Sequence, residues 1–508
     1  MINLFLGDYM KTKLEKAINW IVYMIQLITS VLLMYILYTV QFIPTNYLIG
    51  LGVFLLVLLI GEYFLIFYKK PKSKRSLLTQ ILSLMLSCVM VLGSYYVYKM
   101  GDVVNLLTAE TFQQRAISVI VLEDSEIRNE KQLPDHQVGY ISTIDNETMT
   151  YAVDDIEKNV GNISLNDYRD FEELVNALYN QDVDAIILDE AFRTLVDQEK
   201  DTFDDDTRVI YQVLKDEGSV SAKNVDVTQK PFLVYISGND QYGDISTVSR
   251  SDVNMLIAVN PTTHQVLLLS IPRDTYYPLH RNGQYDKFTH AGIYGLQESI
   301  DTLQDILDEE INYYARMNFT SFINIVDAIG GITVNSPSDF TTKIGGYQIK
   351  KGENVLDAKQ ALAFVRERKS FVDGDFARGR NQQRMISAIL KKVCSPAILT
   401  SFSSVLDTVS DSVETNFSSE DINALVQLQL SEMPEWDIQS YQIIGSTGSR
   451  ACYSLGNREA SVVIPYEYSI EQAREYIDDL MAGKIIETDD GNLNDKVDED
   501  NSSRYTTE

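Results

Sequence analysis

The chain has 508 residues, of which 45% are hydrophobic and 23% charged, and its formal net charge is −29 at pH 7. This length favours about three domains. The acidic balance argues against a general nucleic-acid-binding protein, because a phosphate backbone requires a basic surface. Three cysteines are too few for a disulfide scaffold. Whether Cys394 and Cys452 pair with each other is left open.

Three apolar stretches near the N-terminus are each long enough to cross a bilayer: residues 17–40, 47–68 and 77–98. Basic residues precede the first stretch and fill the loop 69–75 between the second and third. By the positive-inside rule, the N-terminus and this loop are predicted to be cytoplasmic. The sequence therefore predicts a multi-pass protein of the cell membrane whose large C-terminal part is extracellular. Glu62, in the second stretch, is expected to snorkel or to pair with Lys69 or Lys70.

Residues 101–228 are predicted to form a small accessory α/β domain. Short apolar runs predict strands at 116–122 and 184–188, and helical spacing predicts a helix at 168–179. This segment carries no glycine-rich phosphate loop, no Cys/His cluster and no nucleophile motif. A binding or regulatory role is therefore favoured over catalysis.

Residues 229–485 show strand patterns that alternate with helix patterns. The predicted strands are 232–237, 253–259, 265–270 and 438–444, and the predicted helices are 297–307, 322–329, 358–364 and 381–393. This alternation predicts an α/β fold with an α/β/α layered domain around a central mixed sheet. The remaining segments are the membrane region, residues 1–100, and an acidic tail, residues 486–508, which is predicted to be disordered.

Arginines and aspartates recur through this last domain. They are Asp240, Arg250, Asp252, Arg273, Asp274, Arg366, Arg368, Asp375 and Arg378. Guanidinium forks hold phosphate oxygens bidentately, and paired carboxylates share a Mg²⁺ ion with phosphate. Residues two apart point to one face of an extended chain, so Arg250 with Asp252, and Arg366 with Arg368, are each predicted to address one ligand. The residues alone leave open both a phosphate site and scattered surface ion pairs.

Several of these segments, taken in order, resemble the LytR-CpsA-Psr family. They are residues 232–240, 249–252, 270–274, 286–287, 327–331 and 360–368, continued by Asp375, Arg378 and the pair 382–383. Three membrane stretches with an extra exterior domain are most similar to the CpsA-type capsule proteins of Gram-positive bacteria. One departure is that Asn381 stands where many members of the family carry an arginine.

The resemblance implies a Mg²⁺-dependent phosphotransferase, with Mn²⁺ as the alternative metal. Such an enzyme moves a capsular polysaccharide from an undecaprenyl pyrophosphate carrier to peptidoglycan, at the C6 hydroxyl of N-acetylmuramic acid. The implied partners are this lipid-linked glycan, the peptidoglycan acceptor, the cell membrane and other capsule-assembly proteins, with no nucleic acid.

The same resemblance assigns residues to roles. The metal ligands are Asp240 and Asp252, and the catalytic residues are Asp252, Arg273, Arg366 and Arg368. The pyrophosphate is bound by Arg250, Arg273, Lys287, Arg366, Arg368, Arg378 and Gln382. The general base is left open between Asp252 and Asp375. The apolar helices at 293–307 and 322–329 are expected to line a groove for the lipid.

Three other functions are weighed against this one. A lipid pyrophosphate phosphatase would use water in place of the sugar hydroxyl. A transcriptional regulator would need cytoplasmic contact with DNA, for which the chain offers few basic cytoplasmic residues. A non-catalytic scaffold of the capsule machinery would use the accessory domain to bind a partner.

Overall fold

The computed structural model describes residues 2–41, 43–67, 74–107, 113–239, 248–396, 402–410 and 412–488. The chain divides into two compact units. The helical unit comprises residues 1–108, 402–410 and 418–434, and the α/β unit comprises the remainder. Two C-terminal segments thus belong with the membrane region, although the sequence placed them in the domain at 229–485.

Among its described residues, the helical unit contains five helices. They are α1 (Ile2–Val40), α2 (Thr45–Phe67), α3 (Lys74–Leu107), α13 (Phe402–Ser410) and α14 (Ser419–Glu432). The first three contain stretches long and apolar enough to span a membrane, Lys16–Val40, Thr45–Phe67 and Leu77–Lys99, which confirms the three predicted stretches. Their orientation across the membrane stays a prediction.

Glu62 departs from expectation. Its side chain is only 5% exposed, inside the bundle of α1 to α3, so the prediction that it snorkels to the surface was wrong. The neighbouring helices cover the second span at this position, which no local sequence pattern reports. Lys69 and Lys70 lie outside the described residues.

The first part of the α/β unit is built on a five-stranded sheet of order β3-β2-β4-β1-β5. Its strands are β1 (Gln114–Leu122), β2 (Gln137–Tyr140), β3 (Ser164–Asp167), β4 (Ala185–Asp189) and β5 (Thr207–Asp216). Its helices are α4 (Asn146–Asn159), α5 (Phe171–Tyr179), α6 (Arg193–Glu199) and α7 (Phe203–Asp206). Both strands and the helix predicted here are present. Helix α5 starts at Phe171 because the Asp170 side chain caps it by accepting a hydrogen bond from Glu173 N.

The second part is built on a six-stranded mixed sheet of order β16-β11-β6-β7-β8-β17. These strands are β6 (Phe232–Gly238), β7 (Val253–Asn260), β8 (Gln265–Ser270), β11 (Tyr313–Met317), β16 (Glu414–Thr415) and β17 (Asp437–Gln442). Strands β6, β7 and β8 form an antiparallel meander, whereas β11 pairs parallel with β6 and β17 pairs parallel with β8. The predicted central mixed sheet is therefore confirmed.

Helices and small hairpins surround this sheet. The helices are α8 (Phe288–Ala291), α9 (Leu296–Leu307), α10 (Phe319–Ala328), α11 (Ala358–Arg366), α12 (Asp375–Val393) and α15 (Glu467–Met481). The remaining strands are β9 (Tyr276–Pro278), β10 (Tyr285–Lys287), β12 (Ile332–Ser336), β13 (Phe340–Thr341), β14 (Gln348–Ile349), β15 (Gly352–Leu356), β18 (Gly445–Cys452) and β19 (Arg458–Pro465).

One face of the large sheet packs on α9 and α15 through a single apolar core. Leu303 and Ile306 of α9 are fully buried in it. The prediction that this helix lines a lipid groove was therefore wrong, because its apolar side is occupied by the sheet. Helix α12 packs against β8 and β17. The Gln383 amide of this helix donates to Leu268 O at 2.9 Å and to Tyr441 O at 2.6 Å.

The accessory sheet and the large sheet are not separated by a solvated linker. A second apolar core joins Phe171, Phe192 and Leu195 of the accessory part to Ile293 and Tyr294, which precede α9. The two parts therefore bury a common interior. The predicted boundary between the accessory domain and the following domain, at residue 228, stays a prediction.

Candidate active site

The candidate site lies at one end of the large sheet, where β6 and β8 end and β7 begins. The backbone N–H of Asp252 donates to Gly238 O at 2.7 Å and so fixes the start of β7 beside the end of β6. Arg273 follows β8 by three residues, and Asp375 opens α12. The antiparallel meander thus brings together residues that are far apart in the chain.

Arg273 is the centre of an alternating cluster of charges. Its Nη1 lies 2.6 Å from Asp252 Oδ1, and its Nε lies 3.8 Å from Asp274 and 3.9 Å from Asp375. Two further cations flank these acids. Arg378 Nη2 is 2.6 Å from Asp375 Oδ1, and Lys287 Nζ is 3.0 Å from Asp274 Oδ1.

The electrostatics of the two arginines differ. Burial alone would lower the pKa of Arg273, but the charges of Asp252, Asp274 and Asp375 outweigh it, and the pKa is raised. Burial lowers the pKa of Arg378, and the positive charges of Arg273 and Arg368 lower it further against the effect of Asp375. A bound anion would oppose both effects, because negative charge beside a guanidinium raises its pKa.

Helix α12 begins at Asp375 rather than at residue 381, so the predicted start was wrong. The first turns carry charged residues instead of an apolar stripe and gave no periodic signal. Contacts from elsewhere hold them, since a Cβ at Gly379 would meet the side chains of Gln442 and Ser270. This longer helix places Asp375, Arg378 and Gln382 at spacings of three and four residues, on one face.

The loop that carries Arg250 and Asp252 is held by a buried polar network that the sequence did not reveal. Ser237 and Ser251 hydroxyls lie 2.8 Å apart, and the Asn239 amide donates to Ser249 Oγ at 3.0 Å. A Cβ at Gly292 would lie 2.8 Å from Ser249 O and from Ser251 N, so only glycine allows this close approach. The positions of these residues depend on contacts between segments, and no local pattern predicts them.

A buried acid, Asp286, holds the backbone of Lys287 in place. Asp286 is fully buried, and its carboxylate accepts hydrogen bonds from Lys287 N at 2.8 Å and from Ser454 N at 2.7 Å. The His290 ring lies 2.5 Å from the same carboxylate. Burial would raise the pKa of Asp286, but the positive charge of His290 and these hydrogen bonds lower it. The spacing of four residues between Asp286 and His290 is the sequence signal for this pair.

The predicted pair Arg366 and Arg368 stands at the end of α11. Arg366 ends α11 and lies over the Phe319 ring, with its guanidinium carbon 4.2 Å from the ring centre. Arg368 lies beyond the end of that helix, where its charge acts on Arg378. Whether each pair addresses one ligand stays a prediction.

Arg250 lies two residues before Asp252, just ahead of β7. Burial raises the pKa of Asp197 in α6, and the charge of Arg250 opposes this rise, so the two groups are neighbours. The buried Nε of Arg250 forms no hydrogen bond with any residue that the structure describes. The cluster around Arg273 thus brings together Asp252, Lys287 and Arg378, and Arg366 lies over the Phe319 ring. Gln382 lies on α12 four residues after Arg378.

The predicted metal ligands are tested only in part. Asp240 lies outside the described residues. Within the described ranges, no three histidines, cysteines or acids are grouped as metal ligands. Asp252 lies at the cluster, and its carboxylate oxygens are of the kind that Mg²⁺ binds. The metal site stays a prediction.

Sequence comparisons define the class of protein. The model of the LytR_cpsA_psr family matches residues 194–475, more than half of the chain. The chain belongs to the LytR-CpsA-Psr family. A second model, that of the DNA polymerase processivity factor, matches residues 73–188, less than a quarter of the chain, and establishes no membership.

Curated relatives include the polyisoprenyl-teichoic acid–peptidoglycan teichoic acid transferases TagU of Bacillus licheniformis and Bacillus subtilis. Each is 36% identical to this chain, over 222 and 221 residues respectively. Each alignment covers 43% of this chain and 66% of the relative, so the chain spans just under two thirds of the relatives' length. TagU of Bacillus cereus is also 36% identical, over 41% of this chain and 68% of its own.

Solved structures with similarity include two Bacillus proteins. Bacillus subtilis TagV is 27% identical, with a TM-score of 0.42 over 51% of this chain and 99% of its own. A structure of TagT bound to LI-WTA is 28% identical, with a TM-score of 0.43 over 51% of this chain and 94% of its own. Both TM-scores are below 0.5, so membership of the family rests on the sequence comparisons.

Proposed function

We propose that this protein is a membrane-anchored glycopolymer phosphotransferase. It moves a glycan phosphate from a polyprenyl pyrophosphate carrier to peptidoglycan. The observation that carries this proposal is the cluster around Arg273, in which Arg378 and Lys287 alternate with Asp252, Asp274 and Asp375. The names of the TagU relatives support a polyisoprenyl-linked donor and a peptidoglycan acceptor.

The reaction needs no covalent enzyme intermediate. The acceptor hydroxyl oxygen attacks the glycan-linked phosphorus, and a new P–O bond forms as the bond to the bridging oxygen breaks. Polyprenyl phosphate leaves with the electron pair of that bond, and the hydroxyl proton passes to a carboxylate. Asp252 and Asp375 are the candidate acceptors, because their carboxylates lie at the cluster; metal binding and ion pairing are the competing roles of the same groups.

The arginines supply positioning and charge. Phosphoryl transfer is catalysed chiefly by orienting the reactants and stabilising charge on the phosphoryl and leaving oxygens. Arg273 and Arg378 would neutralise the pyrophosphate, with Lys287, Arg368 and the unsatisfied Nε of Arg250 at its margin. Asp252 together with Asp240 would hold Mg²⁺, which would supply further positive charge to the pyrophosphate.

The proposal also specifies which polymer is transferred. We propose a capsular polysaccharide on an undecaprenyl carrier, transferred to the C6 hydroxyl of N-acetylmuramic acid. The support is the arrangement of three membrane-length helices and an accessory α/β part, which resembles CpsA-type members of the family. Teichoic acid, named in the TagU relatives, is the polymer to compare against it.

A transfer assay on the purified full chain tests the proposal. The donor is a short-chain polyprenyl pyrophosphate glycan, the acceptor is peptidoglycan, and Mg²⁺ is added or removed with a chelator. Arg273→Ala and Asp252→Ala should each lower kcat/KM about 10²- to 10³-fold, the usual effect of removing one preorganised charge. Arg169→Ala is the matched control, because that side chain is 70% exposed in the accessory part.

The products separate the alternatives. Glycan covalently bound to peptidoglycan, lost in both site variants and on chelation, would support the transferase. Phosphate release without attached glycan would indicate a hydrolase. Unchanged transfer in Arg273→Ala would refute this site. A capsular donor used no better than a teichoic acid donor would refute the assignment of polymer alone.

A further inference from the structure

Two neighbouring loops of the α/β unit present aliphatic side chains to solvent. Ile344, between β13 and β14, is 50% exposed, and Val372, between α11 and α12, is 109% exposed. Single exposed aliphatic residues are common on protein surfaces. These two are different because their loops are joined to each other and both carry exposed lysines, Lys343 and Lys369.

The two loops form one surface. The rings of Phe340 and Phe371 pack with centroids 4.8 Å apart, and Ser370 Oγ donates to Thr341 O at 3.1 Å. Glu367, which is 3% exposed, accepts from Lys343 N in one loop and from Ser370 N in the other. We name Lys343, Ile344, Lys369 and Val372 the tip surface.

The turn that carries Ile344 has a well-defined backbone conformation. Gly345 and Gly346 both have positive φ, at +77° and +64°, and a Cβ at Gly345 would lie 2.2 Å from the Tyr347 ring. Thr342 Oγ1 donates to Ile344 O at 2.7 Å and accepts from Tyr347 N at 2.9 Å. Ile344 is thus held outwards, and binding through it costs little conformational entropy.

The surroundings of the tip surface are positively charged on a chain whose net charge is −29. Besides Lys343 and Lys369, the second loop exposes Arg368, and Lys350 and Lys351 are exposed between β14 and β15. Of the acids nearby, Glu367 is buried, Asp373 is ion-paired to Arg380, and Asp339 lies 3.8 Å from Lys350. Aliphatic tips flanked by lysines fit an anionic lipid surface, where side chains enter the headgroup region and lysines meet phosphates.

We propose that the tip surface docks on the anionic headgroups of the bilayer. Arg368 belongs to the same loop, and its charge reaches Arg378 of the candidate site. Docking would therefore bring the mouth of the site to the membrane surface, where a lipid-linked donor resides. That consequence rests on the proposed function, whereas the docking itself rests on the exposure and charge of the tip surface.

Quenching of a fluorescent label by lipid tests the docking without any catalytic readout. The full chain carries Val372→Cys with Cys88→Ser and Cys394→Ser, and it is reconstituted with lipids brominated near the headgroup. Cys452 can remain, because it is fully buried and burial raises the pKa of its thiol to about 12. Val355→Cys is the matched control, since that valine is also exposed, at 79%, but lies on β15.

The label at Val372 should be quenched in vesicles that contain phosphatidylglycerol, and the label at Val355 should not. Adding Lys343→Glu and Lys369→Glu should reduce the docked population by about fivefold or more for each lysine removed. Equal quenching at the two positions would overturn the proposal. So would an unquenched Val372 label that is shielded only when an anionic glycan is added. Transfer activity with a water-soluble donor, measured in parallel, tests the proposed function separately from the docking.

Discussion

Arg115 offers a sharp test of whether the accessory part and the catalytic part form one structure. It is 2% exposed, and its Nη1 lies 2.9 Å from both Asp145 and Asp189, with Nε 2.9 Å from Glu217. Its Nη2 donates to Ile293 O at 2.7 Å, in the segment that leads from Lys287 to α9. Replacing it by methionine keeps much of the volume and removes the charge.

The expected loss of unfolding free energy in Arg115→Met follows from the partners that each of the three acids retains. Asp145 retains Arg281 at 3.1 Å, and Glu217 retains Lys215 at 3.4 Å. Asp189 is 1% exposed and retains the hydrogen bond from Ala191 N, with no second ion pair within the described part of the chain. Breaking a buried pair costs about 3–5 kcal/mol, and with one acid of three stranded we expect about 3 kcal/mol of unfolding free energy.

The loss of stability in Arg115→Met should depend on pH. Burial raises the pKa of Asp189 to about 6, against the opposing charge of Arg115. Without Arg115 this pKa rises further. A carboxyl whose folded pKa lies above its unfolded value destabilises the fold progressively as the pH rises through that range. Arg115→Met should therefore lose more stability at pH 8 than at pH 5.

Thermal unfolding of the α/β unit in the detergent-solubilised full chain measures this. A loss of about 3 kcal/mol corresponds to a fall in Tm of roughly 4 °C in a unit of this size. Arg169→Met, at a pair that is 70% exposed, should change stability by no more than about 0.5 kcal/mol. Adding Asp189→Asn to Arg115→Met should restore much of the loss, because both buried charges are then gone. Similar melting of the two methionine variants, at either pH, would refute the reasoning.

Three further predictions concern the site. Arg378→Ala should lower kcat/KM for transfer about 10²-fold or more. Arg380, whose ion-pair partner is Asp373, supplies the control: Arg380→Ala should lower kcat/KM less than about tenfold. Equal losses in the two variants would contradict the assignment of Arg378 to the site. Gly292→Ala should lower both Tm and transfer by pushing on Ser249 and Ser251, while Gly93→Ala, with no atom within 4 Å of its Cβ, should be neutral in the same assays. Because the pKa of Asp286 is lowered in the fold, its stabilising effect is present above the unfolded pKa and is lost as the pH falls below about 4. Acid titration of Tm should therefore be shallower in Asp286→Asn than in the wild-type chain, and parallel curves would exclude this role.

Much of the fold could be predicted because the signals are local. Continuous apolar runs predicted β6, β7 and β8, and the three membrane-length stretches follow from hydropathy alone. Where the signal was weak, prediction failed. The charged first turns of α12 show no apolar period, so the sequence placed its start at residue 381 instead of Asp375.

The candidate site was predicted in composition but not in arrangement. The sequence named Arg273, Asp252, Lys287 and Arg378, and the structure brings them together. It also paired Arg366 with Arg368 at one ligand, which stays a prediction. The serine and asparagine network behind Asp252, and the support of Lys287 by Asp286 and His290, come from contacts between segments.

The sequence by itself determined the types of the elements, the three apolar spans and the membership of the family, because periodicity and motif order are properties of neighbouring residues. Only the tertiary structure decided which charges meet around Arg273, that Glu62 is buried, and that Arg115 lies within a common interior of the accessory and catalytic parts. These features depend on residues up to a hundred or more positions apart. The free energy of such contacts is set by burial and distance, which sequence spacing does not contain.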